Sequence, residues 1–323
     1  MPSALYRGKI ACSLGLLGCG ALLIASRLSH LWLPLDVLSH FTLQLIVLMA
    51  AFGAGFVLPF ARKLTVLVLA LTGIVLIGLY PLYVSGHSRI VDSLKPGERQ
   101  LRLMTFNTSV INRDTGAIAA EILRLDPDVA MLMEFGERKH VVLDRLKANY
   151  PYMAGCVPGR HCHFALLSKV PIADSQVREG WNGPLMVEAS LGGPFSGLTI
   201  IGVHFARVPD IADQFDELGV LLDYLGKQRG TYVLMGDFNA TPFSDLLLKL
   251  ENHTKLRRLT GIPSWPSYAR LPQFGIDHIL VNDGLRLLEK ARIGRPSGSD
   301  HYPVTVTVAV PVVLRGAISQ HQN

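Results

Sequence analysis

Residues with metal-binding and acid–base side chains recur at the ends of apolar, strand-like segments in the last two thirds of the chain. Carboxylate and amide oxygens bind Mg²⁺ and related hard cations, and a histidine beside a carboxylate can accept or donate a proton. Any one such residue has an ordinary structural role as a turn, cap or hydrogen-bonding residue, but six such strand ends in one domain indicate one shared site with metal-binding and acid–base side chains. They are Asn107, Glu134, His204, Asp237 with Asn239, Asp277 with His278, and Asp300 with His301.

The segment 236–242, with the sequence G-D-F-N-A-T-P, shows the pattern most clearly. The apolar run before it, 231–235, predicts a buried strand. Side chains two residues apart in an extended chain lie on the same side, so we expect Asp237 and Asn239 to project together. Thr241-Pro242 predicts the start of a helix. The alternative interpretation is an Asx-type turn that only closes the strand.

The first quarter of the chain is too apolar for an ordinary soluble domain. The 323-residue sequence is 49% hydrophobic, and the stretches 10–26, 41–60 and 64–84 contain no charged residue. Because about 20 apolar residues cross a bilayer core, these stretches predict three transmembrane helices in a membrane anchor over residues 1–84. A cleaved signal peptide is the alternative for the first stretch, but it leaves the other two unexplained.

Basic residues in the short loops predict the orientation of this anchor. Arg7 and Lys9 precede the first stretch and Arg62-Lys63 lie between the second and third, whereas only Arg27 lies between the first and second. Lys and Arg concentrate in cytoplasmic loops, so the N-terminus is predicted to be inside. Three crossings then place the rest of the chain on the non-cytoplasmic side of a bacterial-type inner or plasma membrane, with lipid contact through residues 10–84.

The rest of the chain has the pattern of one mixed α/β domain. A polar linker over 85–98 precedes a domain over 99–314, and the tail 315–323 is expected to be disordered. The mixture of helices with hairpin-like strand neighbours predicts a sandwich of two sheets rather than a doubly wound parallel sheet. The predicted helices are 115–125, 137–148, 213–227 and one from Pro242, and the predicted strands are 101–106, 128–133, 163–168, 185–191, 198–205, 231–236, 276–281 and 302–310.

Two cysteines of this domain, Cys156 and Cys162, lie close together in the sequence. In an oxidising compartment such a pair predicts a disulfide that closes a short loop. The alternative is a metal site made by His161, Cys162 and His163. The net charge of +6 is modest for a nucleic-acid-binding protein and favours an anionic partner without identifying it.

The order of the motifs resembles the endonuclease/exonuclease/phosphatase (DNase I-like) superfamily over roughly residues 99–312. The matching pieces are T-F-N at 105–107, the strand that ends at Glu134, G-V-H at 202–204, G-D-F-N-A-T-P at 236–242, I-D-H-I-L-V at 276–281 and G-S-D-H-Y-P at 298–303. The resemblance implies a four-layer α/β/β/α sandwich behind the anchor. It also implies a site for Mg²⁺ or Mn²⁺, with Glu134 as the main ligand and Asn107 and Asp300 beside it, and no nucleotide cofactor.

The same resemblance implies the catalytic roles. His301 would be the general base or the residue that clamps the phosphate, and Asp277 would orient its ring. Asp237 would position or deprotonate the attacking water, Asn239 would bind one phosphate oxygen, and His204 would donate to another. Whether His301 or Asp237 takes the proton is left open. His278 is predicted to be structural.

The expected activity is divalent-metal-dependent hydrolysis of a phosphoric ester, either a lipid headgroup or a small phosphate ester. An exported endonuclease or exonuclease that cuts DNA or RNA is the alternative. An inert protein that binds phosphorylated ligands is a third interpretation, against which the complete set of motif residues argues. The loop 263–272, which contains Trp265 and Tyr268 and is followed by Phe274, is either a substrate-facing surface or a packed lid.

Overall fold

The computed structural model describes residues 4–58, 62–85, 89–156, 162–269 and 273–312. The predicted tail 315–323 lies outside these ranges. Four helices belong to the N-terminal region and four to the domain that follows. They are α1 (Ala4–Ala25), α2 (Asp36–Ser39), α3 (Thr42–Val57), α4 (Arg62–Ser85), α5 (Thr115–Leu125), α6 (His140–Leu146), α7 (Ile211–Leu225) and α8 (Asp245–His253).

The strands of the domain form two mixed six-stranded sheets. Their spatial orders are β11-β12-β1-β2-β4-β3 and β5-β6-β7-β8-β10-β9. Only β1–β2 and β7–β8 pair in parallel among the strands that the structure describes. In chain order the strands are β1 (Glu98–Asn107), β2 (Val129–Met133), β3 (Tyr152–Ala154), β4 (Phe164–Ser168), β5 (Ile172–Arg178), β6 (Leu185–Leu191), β7 (Leu198–His204), β8 (Thr231–Asp237), β9 (Arg257–Arg258), β10 (Asp277–Val281), β11 (Arg286–Ile293) and β12 (Val304–Pro311).

The two sheets pack face to face, and helices cover both outer faces. Alternate side chains of each inner strand point to opposite faces, as in β1, where Leu103 enters the core between the sheets and Met104 packs under the helices. Helices α5 and α6 bury the outer face of the first sheet, and α7 and α8 bury that of the second. The four-layer α/β/β/α arrangement is the one that the resemblance implies.

Several strands and the ends of α6, α7 and α8 differ from the sequence prediction. The strands β3, β5, β9 and β11 were not predicted, and each is the outer strand of its sheet. Outer strands are paired on one side only. The exposed strand β5 contains no apolar run that would have predicted it. Helix α8 begins at Asp245 rather than at Pro242, because Ser244 is the N-cap and its hydroxyl accepts a hydrogen bond from Leu246 N.

The N-terminal region does not show the three predicted transmembrane helices. Among the described residues, one helix, Tyr6–Ala25, is long and apolar enough to cross a membrane. Helix α3 has 16 residues, which is about 24 Å at 1.5 Å per residue and shorter than a bilayer core of about 30 Å. Helix α3 reaches the length of a membrane span only together with the segment Leu33–Ser39, and the two are bent by 63° relative to each other. The side chains of α4 are described only as far as Gly78.

The predicted disulfide is present. Cys156 and Cys162 are bonded, with their Cα atoms 5.1 Å apart. His140 lies beside the bridge, with Nε2 3.2 Å from the Sγ atom of Cys162. A disulfide sulfur is not a thiolate ligand, so the alternative metal site at this loop is wrong; His161 lies outside the described residues.

Candidate active site

The site lies at one end of the sandwich, where strands from both sheets end. Asp237 pairs with His204 on one side and with Asp277 on the other, so the three residues form a row across β7, β8 and β10. Each points to the same face as the core between the sheets. Asn107 ends β1 of the opposite sheet, and its Nδ2 atom donates to Asp237 Oδ2 at 3.0 Å. The strand-end residues identified in the sequence therefore meet between the sheets.

Glycine is required at position 236 to bring these strands together. Gly236 has φ +155°, and a Cβ atom built there would lie 1.8 Å from the carbonyl oxygen of Val203 on β7. Any side chain would push β8 away from β7 just before Asp237.

Glu134 is an ionised carboxylate directly after β2. Its Oε2 atom accepts from Val110 N at 2.9 Å and its Oε1 atom accepts from Asn107 Nδ2 at 3.1 Å. Burial alone would raise the pKa of Glu134, but these hydrogen bonds and the neighbouring positive side chains lower it to about 2. The carboxylate therefore keeps its charge at neutral pH.

His301 is held by a buried chain of hydrogen bonds. Its Nδ1 atom lies 2.9 Å from Asp277 Oδ2, and the same oxygen accepts from the Ser264 hydroxyl at 2.6 Å. Burial alone would lower the pKa of His301, but the carboxylates of Asp277 and Asp237 raise it to about 9. The ring is therefore an imidazolium at neutral pH, with Nε2 3.7 Å from Asp237 Oδ2.

His204 stands between two carboxylates. Its Nε2 atom is 3.8 Å from Glu134 Oε1 and 3.8 Å from Asp237 Oδ2. Neither distance is a hydrogen bond, and this buried nitrogen has no hydrogen-bond partner in the part of the chain that the structure describes. A bound oxygen atom between the carboxylates and the ring would satisfy it.

Asp237 and Asn239 are joined by a turn rather than by extended chain. Asn239 has φ +47°, and its N–H donates to Asp237 Oδ1 at 2.9 Å. Its Nδ2 atom donates to the carbonyl of Phe205 at 2.9 Å. The expectation of an extended chain is therefore wrong and the Asx-type turn is present, although both side chains line the same cavity.

These residues open into a cavity of about 510 Å³. Its polar wall contains Glu134, Asp237, Asn239, Asp300 and His301, and its other wall is aromatic. Trp265, Tyr268 and Phe274 line that wall, and Trp265 Nε1 donates to Asp300 Oδ2 at 3.3 Å. The loop predicted at 263–272 thus faces the site in its described part.

The oxygen donors of the cavity fit a hard divalent cation. Glu134 is ionised and lines the cavity together with Asp300, as the predicted ligand set requires. Asn107 differs from that prediction: its amide nitrogen faces the carboxylates, while its Oδ1 accepts from Ser109 N at 2.9 Å. Asp237, Asp277 and His301 also have ligand atoms within 4.8 Å of one another, but a protonated His301 cannot bind a metal ion through nitrogen.

Sequence reasoning missed two basic residues that hold Glu134. Arg207 Nη2 donates to Glu134 Oε1 at 2.6 Å. Lys139 is buried, and its Nζ atom donates to the backbone carbonyls of Ser109 and Glu134 at 2.7 Å each; burial lowers the pKa of Lys139 to about 8. Neither residue belongs to a motif, and both lie in segments with ordinary surface composition, so no sequence signal distinguishes them.

His278 has the structural role that was predicted. It is fully buried, with Nε2 2.8 Å from the carbonyl oxygen of Ala240 and Nδ1 3.2 Å from that of Thr260. Burial lowers the pKa of His278 to about 3. It joins the strand to the turn that follows Asp237 and does not line the cavity.

The two-sheet fold and the carboxylate–histidine cluster define a class of phosphoester hydrolases. Residues 104–301 match the model of the Endonuclease/Exonuclease/phosphatase family, and the chain belongs to this family. Its members hydrolyse phosphoester bonds and typically depend on a divalent metal ion. No curated protein matches the sequence.

Solved structures with a similar fold have low sequence identity. An endonuclease/exonuclease/phosphatase from Beutenbergia cavernae is 18% identical, with a TM-score of 0.52 over 66% of this chain and 72% of that one. A family protein from Bacteroides thetaiotaomicron is 15% identical, with a TM-score of 0.54 over 66% and 98%. D. rerio TDP2 complexed with a single-strand DNA product is 13% identical, with a TM-score of 0.54 over 65% and 98%.

Proposed function

We propose that this protein is a membrane-anchored, divalent-metal-dependent phosphoric ester hydrolase with its catalytic domain outside the cytoplasm. The observation that supports the chemistry best is the cluster of Glu134, Asp237 and His301 around one end of the cavity. It combines an ionised carboxylate for a cation, a second carboxylate for a water molecule and an imidazolium for a phosphate. Metal-assisted hydrolysis of a phosphoric ester can use groups of these three kinds.

Glu134 and Asp300 are the proposed metal ligands. A bound Mg²⁺ or Mn²⁺ would neutralise the charge that develops on the phosphoryl and leaving oxygens. Asn107 supports this site through its hydrogen bonds to Glu134 and Asp237, which hold the two carboxylates at a fixed separation. Lys139 fixes the backbone on which the Glu134 side chain stands.

Asp237 is the proposed group that orients and deprotonates the attacking water. The carboxylates of Asp277 and Asp237 raise the pKa of His301 to about 9, which favours the imidazolium, and an imidazolium cannot accept a proton. We therefore assign His301 to the phosphate clamp, with Nε2–H as the donor and Asp277 as the partner that stabilises the charge. Asp237 lies beside that nitrogen and is the carboxylate left to take the proton.

Three further residues are proposed to bind phosphate oxygens. Arg207 lines the cavity beside Glu134 and presents a guanidinium, which binds phosphate well. His204 has a buried Nε2 atom 3.8 Å from Glu134 Oε1, and this atom has no hydrogen-bond partner among the described residues. Asn239 lines the cavity next to Asp237. Together these groups would hold the phosphoryl group against the carboxylates.

The proposed substrate is a lipid headgroup or a small phosphate ester. The aromatic wall and an apolar N-terminal helix support an ester presented near a membrane. A nuclease is the second candidate, because an aromatic wall can also stack bases and a protein of similar fold, D. rerio TDP2, was solved with a single-strand DNA product.

The location of the domain follows from the proposed membrane helix. Residues after α1 contact the domain directly, since the Ser29 hydroxyl bonds Asp245. The C-terminal end of α1 and the catalytic domain must therefore lie on the same side of the membrane. If Arg7 and Lys9 keep the N-terminus inside, that side is the non-cytoplasmic one.

The full-length protein in detergent micelles tests the activity. Plasmid DNA, RNA, bis-p-nitrophenyl phosphate and mixed phospholipids would be incubated with Mg²⁺, with Mn²⁺ or with EDTA. We expect EDTA-sensitive release of a phospholipid headgroup or of p-nitrophenol, with nucleic acid intact, at a rate far above that of a His301→Ala variant. Nicking of DNA by the wild type alone would instead establish a nuclease. No turnover of any substrate would refute hydrolysis.

A further inference from the structure

The segment between α1 and α3, residues 26–41, packs against the catalytic domain; we call it the docking segment. Its anchor point is Asp36, which is fully buried. Asp36 Oδ2 accepts from the Ser244 hydroxyl at 2.7 Å and Oδ1 accepts from Asp245 N at 2.9 Å. These two donors lie at the start of α8, so a carboxylate from the N-terminal region caps a helix of the domain.

The last two residues of the docking segment reach the active-site cavity. His40 and Phe41 both line it, together with Glu134, Asp237 and Asp300. Phe41 packs edge to face against Phe274, with ring centroids 5.4 Å apart and an interplanar angle of 84°. The aromatic wall of the cavity is thus built from two parts of the chain that are more than 200 residues apart.

The hydrogen bond of His40 defines its tautomer. Thr241 N lies 3.2 Å from His40 Nδ1, and a backbone N–H can only donate, so Nδ1 carries no proton. Burial lowers the pKa of His40, which keeps the ring neutral. The proton of a neutral imidazole must then be on Nε2.

The Nε2–H group of His40 is a buried donor without an acceptor in the ranges that the structure describes. The residue is only 8% exposed. An unsatisfied buried donor is unfavourable, and a ligand that supplies an oxygen removes the penalty. His40 lines the same cavity as Asn239, Arg207 and His301, which are proposed to hold the phosphate.

We propose that His40 and Phe41 are substrate-binding residues, and that the active site is complete only when the docking segment is in place. His40 Nε2–H donates to an oxygen of the bound phosphoric ester, and Phe41 contacts an apolar group of the same ester. The substrate class is therefore an ester whose alcohol carries an apolar group next to the phosphate. This inference rests on the proposed function and deepens it.

Substitutions at His40 separate substrate binding from docking. In His40→Asn the side-chain oxygen replaces Nδ1 as the acceptor for Thr241 N, but the Nε2–H donor is lost. In His40→Gln the amide nitrogen takes the place of Nε2. His40→Ala removes both functions, and His30→Ala is the matched control, because His30 is an exposed histidine of the same segment.

Two measurements on the full-length variants test the proposal. The first is hydrolysis of bis-p-nitrophenyl phosphate, for which we expect His40→Asn to raise KM about tenfold with little change in kcat, the loss expected for one hydrogen bond made equally to substrate and transition state. His40→Gln should recover most of the affinity, and His30→Ala should match the wild type. Phe41→Ala should raise KM about three- to tenfold, whereas Phe56→Ala on α3 should not.

The second measurement does not depend on turnover: the increase in Tm caused by phenyl phosphate. We expect a clear increase for the wild type and His30→Ala and a much smaller one for His40→Asn and Phe41→Ala. If the wild type hydrolyses none of the substrates and the Tm increases still follow this pattern, the proposed function fails. The proposed binding roles of His40 and Phe41 then stand. Equal KM values and equal Tm increases for wild type and His40→Asn, or no stabilisation of the wild type, would overturn the proposal.

Discussion

At the scale of single residues, the charge of Glu134 is the property on which metal binding depends. The N–H of Val110 and the amide of Asn107 stabilise its carboxylate. We expect Glu134→Gln to lower the Mg²⁺-dependent kcat by about 10³-fold, or about 4 kcal/mol, because the amide removes the negative ligand while it keeps the size of the side chain. Initial rates across a Mg²⁺ titration would measure this.

The matched control for this substitution is Glu137→Gln, because Glu137 is an exposed glutamate close to Glu134 in the sequence. Its activity should equal that of the wild type. Circular dichroism should show both variants folded. Normal Mg²⁺-dependent turnover by Glu134→Gln would remove Glu134 from the metal site.

The raised pKa of His301 makes stability depend on pH. Its folded-state pKa of about 9 lies above the ordinary value of 6.5, so the protonated form is stabilised by folding. That contribution is complete below pH about 6.5 and is lost as the pH rises through about 9. We expect the Tm of the wild type, measured in EDTA, to fall over this interval. His301→Gln should show a smaller fall, and equal falls would contradict the assignment of the charge.

How far the site was visible in the sequence depends on the residue. Asp237 and Asp277 could be found because each lies at one end of an apolar strand, Asp237 at the last residue of β8 and Asp277 at the first residue of β10, and the alternation of the strand directs it inward. His40 could not, because its partner Thr241 is 201 residues away and no strand or motif marks it. Ser264, which bonds Asp277, lies in a loop and no strand or motif marks it either. Contacts between distant segments depend on the packed fold rather than on a local pattern.

At the scale of elements, the inner strands of each sheet were predictable because at least one of their faces is buried. The outer strands of each sheet were not predictable. The prediction 185–191 coincides with β6, which pairs on both sides. The neighbouring β5 is paired only with β6 and is almost wholly exposed, so nothing in its composition indicates a strand. The edges of a sheet are therefore the elements that periodicity misses.

Helix α8 depends on the N-terminal region for its cap. We expect Asp36→Ala to lower the free energy of unfolding of the catalytic domain by about 1–2 kcal/mol, since it leaves the Ser244 hydroxyl and Asp245 N without their acceptor. Thermal unfolding of the full-length protein, followed by limited proteolysis, would measure both the stability and the release of the docking segment. Asp144→Ala, an exposed aspartate on α6, is the control. A Tm equal to that of the wild type would show that the docking contact is not part of the stable fold.

At the scale of the whole molecule, the docking contacts would restrict how a membrane-anchored chain of this kind crosses the membrane, as proposed above. The docking segment follows α1 and touches the domain that follows α4, so both lie on one side. The helices α3 and α4 must then cross the membrane together or not at all. The uncharged stretches of the sequence favour three crossings, whereas the described structure contains one candidate span, Tyr6–Ala25.

Fusions to alkaline phosphatase, which is active only outside the cytoplasm, test this topology. Because Arg7 and Lys9 favour an inside N-terminus, we expect fusions after His30 and after Ser93 to be active. Inactive fusions at both positions would place the domain in the cytoplasm and contradict the proposed export. A fusion after Lys63 decides between the two arrangements of α3: an inactive enzyme means that α3 crosses, and an active one means that α1 is the only crossing before that point. If only one of the fusions at His30 and Ser93 is active, the docking segment and the domain lie on opposite sides of the membrane. That result would contradict the hydrogen bond between Asp36 and Ser244.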